Sequence, residues 1–469
     1  MVALARVVRA HWLFALVFAA GLGLRVLAQL AYRPALLYID SVKYLAGSHG
    51  TEPEGYGLLL RLLDPAGGLA FVAAVQHVFG LATAVAVYLL LIRRRAPRWI
   101  AALAAAPVLL DAYQLQLEQT IMPDVLFETM ITAGLVVLLW RGRRGPRVPG
   151  GAWPIAAGAL VLGAAVTVRE IGAVLIVPVV VFAALTVHGW RPRARRAALA
   201  AGCFMLPVLA YLAGTLAVTG HVGMAGNGPS PQYGRAAAAA DCATLRLPAG
   251  ERALCPSPAQ TLALGGIDGL LHDPRSPGHT VPVPPGLTRD EFLDRFAIAV
   301  FRQQPLRVAA SVARDSVRLL APVRDGDPQV TPIARWQFQD VYPVYPRRYS
   351  MAFLTRLAHA HGSGGDLVAV QPAASFLRAY QLGGGYTPGP LYAVFLVAGV
   401  AGAVRRRTEL RVPCLLVTLA AVVLLVSSDA FEFSWRYQLP AVVLLPLAGA
   451  LGVTALIRGR ASRSAAPSG

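Results

Sequence analysis

Four short stretches hold the residues best suited to chemistry. YIDSVKYLAG (38–47) brings Asp40, Lys43 and Tyr44 together, with His49, Glu52 and Glu54 close behind. LEQTIMPDVLFET (117–129) carries Glu118, Asp124 and Glu128, and a helix starting at Pro123 puts Asp124 and Glu128 on one face. Arg169 and Glu170 are adjacent within an otherwise apolar run, and SSDAFEFSWRYQLP (427–440) supplies Asp429, Glu432, Arg436 and Tyr437. A carboxylate within hydrogen-bond reach of a hydroxyl serves as a general base. Arginine pairs bidentately with phosphate oxygens. Together these types describe a site that holds a phosphate and deprotonates an acceptor.

Each group also has a plainer explanation. Asp40 and Lys43 stand three apart, as a surface ion pair would. Asp124 complements a helix dipole. Arg169 and Glu170 make a self-contained pair at a turn. Arg436 anchors at the interface, with Trp435 and Tyr437 as an aromatic belt. His77, inside an apolar segment, is a helix-packing residue. What favours chemistry is coincidence, because one topology places all four groups on the same side of a membrane. Polar groups at membrane depth usually line a cavity.

The membrane itself follows from composition. Of 469 residues, 56% are hydrophobic and only 14% charged, and mean hydropathy is +0.55. A soluble domain carries roughly a quarter charged residues. The formal charge of +19 is mostly arginine clustered between apolar runs, with no basic face interleaved with aromatics. That pattern is positive-inside and excludes nucleic acid as the partner. Lys43 is the only lysine. Arginine over lysine, with abundant Ala, Gly and Pro, fits the codon usage of a GC-rich bacterium, so the expected location is a bacterial plasma membrane.

The arginine clusters at 93–98, 141–147, 191–196, 405–411 and 458–463 are each separated by enough apolar sequence for two passes. The expectation is an all-α polytopic integral membrane protein of about ten transmembrane helices, with both termini cytoplasmic. The predicted spans are 12–31, 69–92, 99–113, 124–140, 153–168, 171–188, 197–218, 386–404, 412–428 and 437–457. The first run is too long for a signal-peptide core and is retained. Arg25 within it either snorkels to the outer interface or lines a polar cavity.

These boundaries give an N-terminal transmembrane module, 1–218, with a first outer loop at 32–68. An extracytoplasmic subdomain covers 219–385, C-terminal helices cover 386–457, and a cytoplasmic tail covers 458–469. In the subdomain, DEFLDRFAIAVFRQQP and ARDSVRLLAP have helical apolar spacing and read as helices lying on the membrane surface. Cys242 and Cys255 frame a short loop on the oxidising side, so a disulfide is expected there. Cys203 and Cys414 read as small hydrophobes in spans. No Cys/His spacing suggests zinc.

An extracytoplasmic cavity with acids and arginines suits a polyprenyl-phosphate sugar donor, whose tail needs a bilayer-facing groove. Charge developing on the sugar is oxocarbenium-like, as in glycoside hydrolysis. The same stretches resemble the GT-C superfamily of membrane glycosyltransferases, which includes protein O-mannosyltransferases and lipid A aminoarabinose transferases. YIDSVKYLAG resembles the family's first outer loop, with an acid followed four residues later by Tyr. TIMPDVLFETMITAGLVVLLW resembles the acid-bearing start of a later span. AAVTVREIGAVLIVPVVVF resembles an Arg-x-x-Gly pattern, and WRYQLPAVVLLPLAGALGV the Arg-Tyr-x-x-Pro opening of the last span. The resemblance covers about 1–220 and 385–460. QYGRAAAAADC…LCP in the outer segment resembles uncharacterised actinobacterial relatives.

The resemblance implies that Asp40 is the base that activates the acceptor. It makes Asp124 the second acid, supported by Glu118 or Glu128, orienting substrate or holding a divalent metal such as Mg or Mn. Arg169 and Arg436 receive the phosphate, with Tyr44, Glu170 and Tyr437 beside them. Several of these families place a second acid directly after the first; here that position is Ser41. Lys43 supplies either charge to the phosphate or a partner for Asp40. The expected partners are a polyprenyl-phosphate-linked sugar, the lipid bilayer, and an acceptor glycan, lipid or protein. A transporter or flippase of a lipid-linked sugar is the alternative, but it would carry its charges near the bilayer midplane, often within an internal repeat. An envelope assembly protein is the third class, and it leaves the clustered acids and arginines unexplained.

Overall fold

The computed structural model describes residues 9–47, 52–140, 151–220, 222–224, 231–324, 326–327, 329–344, 349–405 and 408–464. His49 and the arginines at 141–147 lie outside the described residues. Two compact units divide the chain. The first comprises 1–225, 337–424 and 439–469; the second comprises 226–336 with 425–438. Residues 337–385, assigned on sequence to the outer segment, therefore group with the first unit.

The first unit is built from apolar helices, because lipid offers no partner to backbone N–H and C=O groups. α1 (Trp12–Ala31) has the length of the hydrocarbon core, about 30 Å. A short helix, α2 (Ile39–Leu45), follows and carries Asp40, Lys43 and Tyr44. α3 (Glu54–Arg93) is two helices in one. Pro65 lacks an N–H, and Gly67 and Gly68 leave helical geometry, Gly68 at φ +64°. A Cβ on Gly68 would stand 2.9 Å from the His361 carbonyl oxygen, so glycine suits both the conformation and the space.

α4 (Arg98–Leu110) and α5 (Ala112–Gln119) meet at a bend of 49°. Polar groups at the bend are met by distant segments. Asp111 caps α5 by accepting from Tyr113 N at 3.0 Å, and also accepts from Thr387 N at 2.8 Å. The Tyr380 hydroxyl donates to the Leu110 carbonyl at 2.6 Å, and Ala112 N donates to the Gly385 carbonyl at 2.7 Å. The Arg25 guanidinium donates to the Val108 and Leu109 carbonyls, each at 2.9 Å. Arg25 does not snorkel; only 2% of it is exposed, and it closes the C-terminal end of α4.

α6 (Asp124–Leu139) and α7 (Ala152–Val166) lead to a 3₁₀ turn at Glu170–Leu175, then α8 (Ile176–Leu185) and α9 (Trp190–Thr219). Close helix contact is set by small residues. A Cβ on Gly163 of α7 would stand 1.9 Å from the Phe204 carbonyl of α9.

The second unit contains α10 (Pro231–Ala239), α11 (Pro258–Leu264), α12 (Gly266–His272), α13 (Arg289–Gln303) and α14 (Pro305–Arg318). Its core is made by Tyr233, Leu254, Leu270, Phe292, Leu293, Phe296 and Val300. Phe292, Leu293, Phe296 and Val300 are the apolar face of α13, all completely buried. The expectation that DEFLDRFAIAVFRQQP lies on the membrane is thus corrected: its apolar stripe faces protein, the other burial open to an amphipathic helix. A capping box of Thr288 and Glu291 starts this helix. Cys242 and Cys255 are joined by a disulfide with Cα atoms 6.0 Å apart.

The chain returns to the first unit with α15 (Met351–Ala360), α16 (Ala373–Leu382) and α17 (Gly389–Val404). A two-residue ribbon pairs Tyr32 with Ala369 and Arg33 with Val368. α18 (Arg411–Phe431) begins in the first unit, and its residues from Leu425 belong to the second. α19 (Ala441–Ser464) packs along α17, where Gly452 leaves room for the Ala398 carbonyl. Each of the ten predicted spans overlaps a helical segment, but residues 186–188, 386–388 and 437–440 lie outside helix and Asp111 interrupts the span at 99–113. Among the described residues, five helices are individually long and apolar enough to cross a membrane, and the bent α4–α5 pair makes a sixth.

Candidate functional site

α2 is placed by its own first turn and by segments far from it in sequence. The Ser41 hydroxyl accepts from Tyr38 N at 2.8 Å, closing the first turn of the helix, and donates to the Ile121 carbonyl at 2.8 Å. Leu36 and residues 119–121 exchange backbone bonds: Leu36 N to the Gln119 carbonyl at 2.9 Å and Ile121 N to the Leu36 carbonyl at 3.0 Å. The segment holding Asp40 is therefore fastened to the segment that leads into Asp124. Tyr342 adds a second clamp, accepting from Leu37 N at 3.0 Å and donating to the Ala35 carbonyl at 2.7 Å.

On α2, the Lys43 ammonium stands 3.3 Å from Asp40 Oδ1 and 2.6 Å from Glu52 Oε1. All three side chains are partly sheltered. Burial pulls the Lys43 pKa down, but the charges of Asp40 and Glu52 outweigh it and hold it above the usual lysine value. The Tyr44 ring meets the Tyr56 ring edge-on at 5.1 Å. Tyr56, fully buried, donates to Gln76 Oε1 at 2.7 Å, and Gln76 donates to the Glu118 and Thr120 carbonyls, each at 2.8 Å.

Asp124 begins α6 and is ion-paired with Arg169, the residue before the 3₁₀ turn. The start of α3 is bound to the same turn. Gly55 N donates to the Thr167 carbonyl at 2.9 Å, and a Cβ at Gly55 would stand 2.5 Å from that oxygen. The Tyr211 hydroxyl of α9 accepts from Glu54 N at 2.9 Å. Burial raises the Glu170 pKa, and the charge of Glu52 adds to the rise. Asp40, Lys43, Tyr44, Asp124, Arg169 and Glu170 thus belong to one connected cluster of the first unit, with Glu52, Glu54 and Tyr56 between them.

Glu118 and Glu128 sit elsewhere, in an internal network. Glu118 is completely buried, with Oε1 2.6 Å from Arg25 and Oε2 2.8 Å from His77 Nδ1. His77 Nε2 lies 2.8 Å from Gln119 Oε1, and Gln114 donates to Glu128 at 2.7 Å. A Cβ on Gly80 would fall 1.8 Å from Glu118 Oε1, so glycine makes the space this carboxylate fills. Both Glu118 oxygens are committed to protein, which leaves it a structural residue rather than a ligand for substrate. His77 packs helices, but through an ionic network that its own segment does not announce.

Arg436 and Tyr437 belong to the second unit. The Arg436 guanidinium lies 5.7 Å from the Trp336 ring centre and 5.5 Å from that of Tyr437. Within the same unit Arg235 pairs with Asp315 at 2.6 Å, and Gln438 donates to Asp429 at 2.7 Å. A recess of about 610 Å³ in the first unit lies at the end of α1, beside Arg33 and Asp366, and holds none of the predicted site residues.

Among the described residues no three His, Cys, Asp or Glu side chains stand together as a metal set. Asp40 and Glu52 are bridged by Lys43, and Asp124 is engaged by Arg169. Glu52 is grouped with Asp40 on sequence and Ser41 is named beside it, neither with a contact, and Tyr56 is not named. Their signal was proximity in sequence to Asp40, but nothing local says that Glu52 folds back onto Lys43 nine residues earlier.

Residues 67–216, roughly a third of the 469, match the family model of dolichyl-phosphate-mannose-protein mannosyltransferase. The match includes Asp124, Arg169 and Glu170; Asp40 precedes it. No curated protein sequence matches the chain. Among solved structures, the apo oligosaccharyltransferase of Archaeoglobus fulgidus is 13% identical with a TM-score of 0.39, covering 97% of this chain and 51% of that one. ArnT from Cupriavidus metallidurans, bound to undecaprenyl phosphate, is 12% identical with a TM-score of 0.35, covering 96% and 79%. The chain thus spans about half the length of the first of these. It is an all-α, multi-pass membrane protein, similar over residues 67–216 to the dolichyl-phosphate-mannose-protein mannosyltransferases.

Proposed function

We propose that the chain is a glycosyltransferase that moves a sugar from a polyprenyl-phosphate donor to an extracytoplasmic acceptor, a glycan, lipid or protein of the cell envelope. One observation carries this reading. The loop helix with Asp40 is hydrogen-bonded to the segment before Asp124, and Asp124 pairs with Arg169. A base and a phosphate-binding arginine are thereby held in one cluster by elements far apart in sequence. The mannosyltransferase-family match over 67–216 supports the same reaction class.

In this reading the Asp40 carboxylate takes the proton of the acceptor hydroxyl as its oxygen attacks the anomeric carbon. The bond from that carbon to the phosphate oxygen breaks, and polyprenyl phosphate leaves. Arg169 receives the phosphate charge, and Asp124 fixes the guanidinium's position through their ion pair. Tyr44 and Glu170 border the acceptor side. With the termini in the cytoplasm, the cluster faces outward.

The test is Asp40→Asn, which keeps shape and hydrogen bonding but removes the base. Sugar transfer measured in membranes, at unchanged protein level, should fall by about 10²-fold or more. Full activity in that variant would remove Asp40 from the mechanism.

A further inference from the structure

We propose that α14 (Pro305–Arg318) is an interfacial anchor: its outward face, Leu306, Ala310, Ala313 and Val317, lies in the lipid leaflet at the C-terminal end of α18, with Arg307 and Arg314 at the level of the lipid phosphates. The inference concerns the second unit and does not depend on the reaction.

α14 is mounted with its polar side inward. Ser311 and Asp315 share a face, and the buried Arg235 of α10 holds them at 2.8 and 2.6 Å. Asp315 also meets Arg318 at 3.1 Å, and Arg318 meets Asp327 at 2.5 Å. The apolar residues are left on the other side. Leu306, Ala310, Ala313 and Val317 follow the i, i+4, i+7, i+11 spacing of one helix face. All four are exposed, Leu306 at 83% and Val317 at 59%. An amphipathic helix on a water-soluble domain is turned the opposite way, as α13 is, with Phe292, Phe296 and Val300 in the core. Two observations make lipid the medium that accepts the stripe of α14. The first is position. α18 has 21 residues and the apolar character of a membrane span. At 1.5 Å per residue it is about 31 Å long, so its end at Phe431 stands at the edge of a hydrocarbon core of about 30 Å. Asp429 lies in its last turn, and the Asp429 carbonyl accepts from the same Arg235 guanidinium that holds Ser311 and Asp315. One side chain thus fixes α14 at the depth where the span leaves the bilayer. The second is charge. Arg307 and Arg314, both exposed, stand along one edge of the stripe. Arg307 is 3.6 Å from Asp241 Oδ2 and keeps 57% of its side chain open. Arginine stems run along apolar surface and carry the guanidinium into the headgroup layer, where the phosphates are anionic.

The experiment reads the depth of α14 in the full-length protein. In a background of Cys203→Ser and Cys414→Ser, with the Cys242–Cys255 disulfide kept, single spin labels are attached through Leu306→Cys, Ala313→Cys and Val317→Cys. Arg295→Cys, on the exposed polar side of α13, is the aqueous reference. Each protein is reconstituted in vesicles of phosphatidylglycerol and phosphatidylcholine. Power-saturation electron paramagnetic resonance then compares collisions with O₂ and with a water-soluble nickel chelate. The α14 labels should favour O₂, at a depth of about 5–10 Å below the phosphates, and the reference should favour nickel. Adding Arg307→Gln with Arg314→Gln should move the α14 labels toward water. Thermal unfolding checks that each variant is folded, and three label positions guard against the loss of one. Nickel access at all three positions equal to that of the reference overturns the proposal. So does poor access to both agents, which marks a protein partner. A depth unchanged by the two arginine substitutions refutes the phosphate contact. Sugar transfer is not the readout, so a failed Asp40→Asn test would leave this result standing, and the reverse.

Discussion

At the scale of single residues, Asp40 and Arg169 occupy different electrostatic settings. Asp40 shares an ammonium with Glu52, whereas Arg169 is ion-paired with Asp124, which is nearly buried. If Arg169 receives the phosphate, its planar fork matters as well as its charge. Arg169→Lys should therefore lower transfer by roughly tenfold or more while the protein stays folded. Arg169→Ala should cost more in both activity and stability, since the nearly buried Asp124 would lose its ion pair with Arg169. Transfer assays on both variants, with thermal unfolding alongside, separate the two effects. Much of this cluster was readable in the sequence, because an acid or arginine at the end of an apolar run is conspicuous. Glu52 was less so. Its bond to Lys43 joins positions nine apart, a separation that no periodicity links.

Among the elements, the bend between α4 and α5 decides where the buried polar residues go. It turns the short helix Ala112–Gln119 so that Gln114 and Glu118 face Arg25, His77 and Glu128. Removing one member should be expensive. Glu118→Ala would strand a buried guanidinium and should destabilise the protein by about 3–5 kcal/mol. Replacing Arg25 and Glu118 together with methionine should cost much less than the sum of the single losses. Thermal or denaturant unfolding of the purified chain in detergent checks both; additive losses would refute the coupling. Sequence patterning found these spans but not their contacts. Arg25 and Glu118 are 93 residues apart, and hydropathy marks each only as an anomaly. Likewise α13 displayed an apolar stripe without saying whether lipid or protein would cover it, and Phe292 and Phe296 now lie in a protein core.

For the whole molecule, the two units have separate sources of stability. The first relies on helix packing against small residues and on buried polar networks. The second has a compact aromatic core and a disulfide that closes a loop with a sequence separation of 13. By chain entropy such a crosslink contributes about 3 kcal/mol. Cys242→Ser with Cys255→Ser should raise amide hydrogen exchange in residues 231–303 and leave 98–139 unchanged, as read by mass spectrometry on the full chain. Uniform change across both regions would show that the crosslink stabilises more than its own unit.

The bend at Asp111 also sets a timetable for assembly. The Leu110 carbonyl waits for a hydroxyl 270 residues downstream, and the Ala112 N–H waits for the Gly385 carbonyl. At 5–20 residues per second, a ribosome needs roughly 15–55 s to deliver that partner. For that interval the early spans are inserted with an unfinished joint at membrane depth, and chains stopped before residue 380 never complete it. The protein's beginning is thus completed by its end: a chain truncated before residue 380 lacks the native partner of the Leu110 carbonyl.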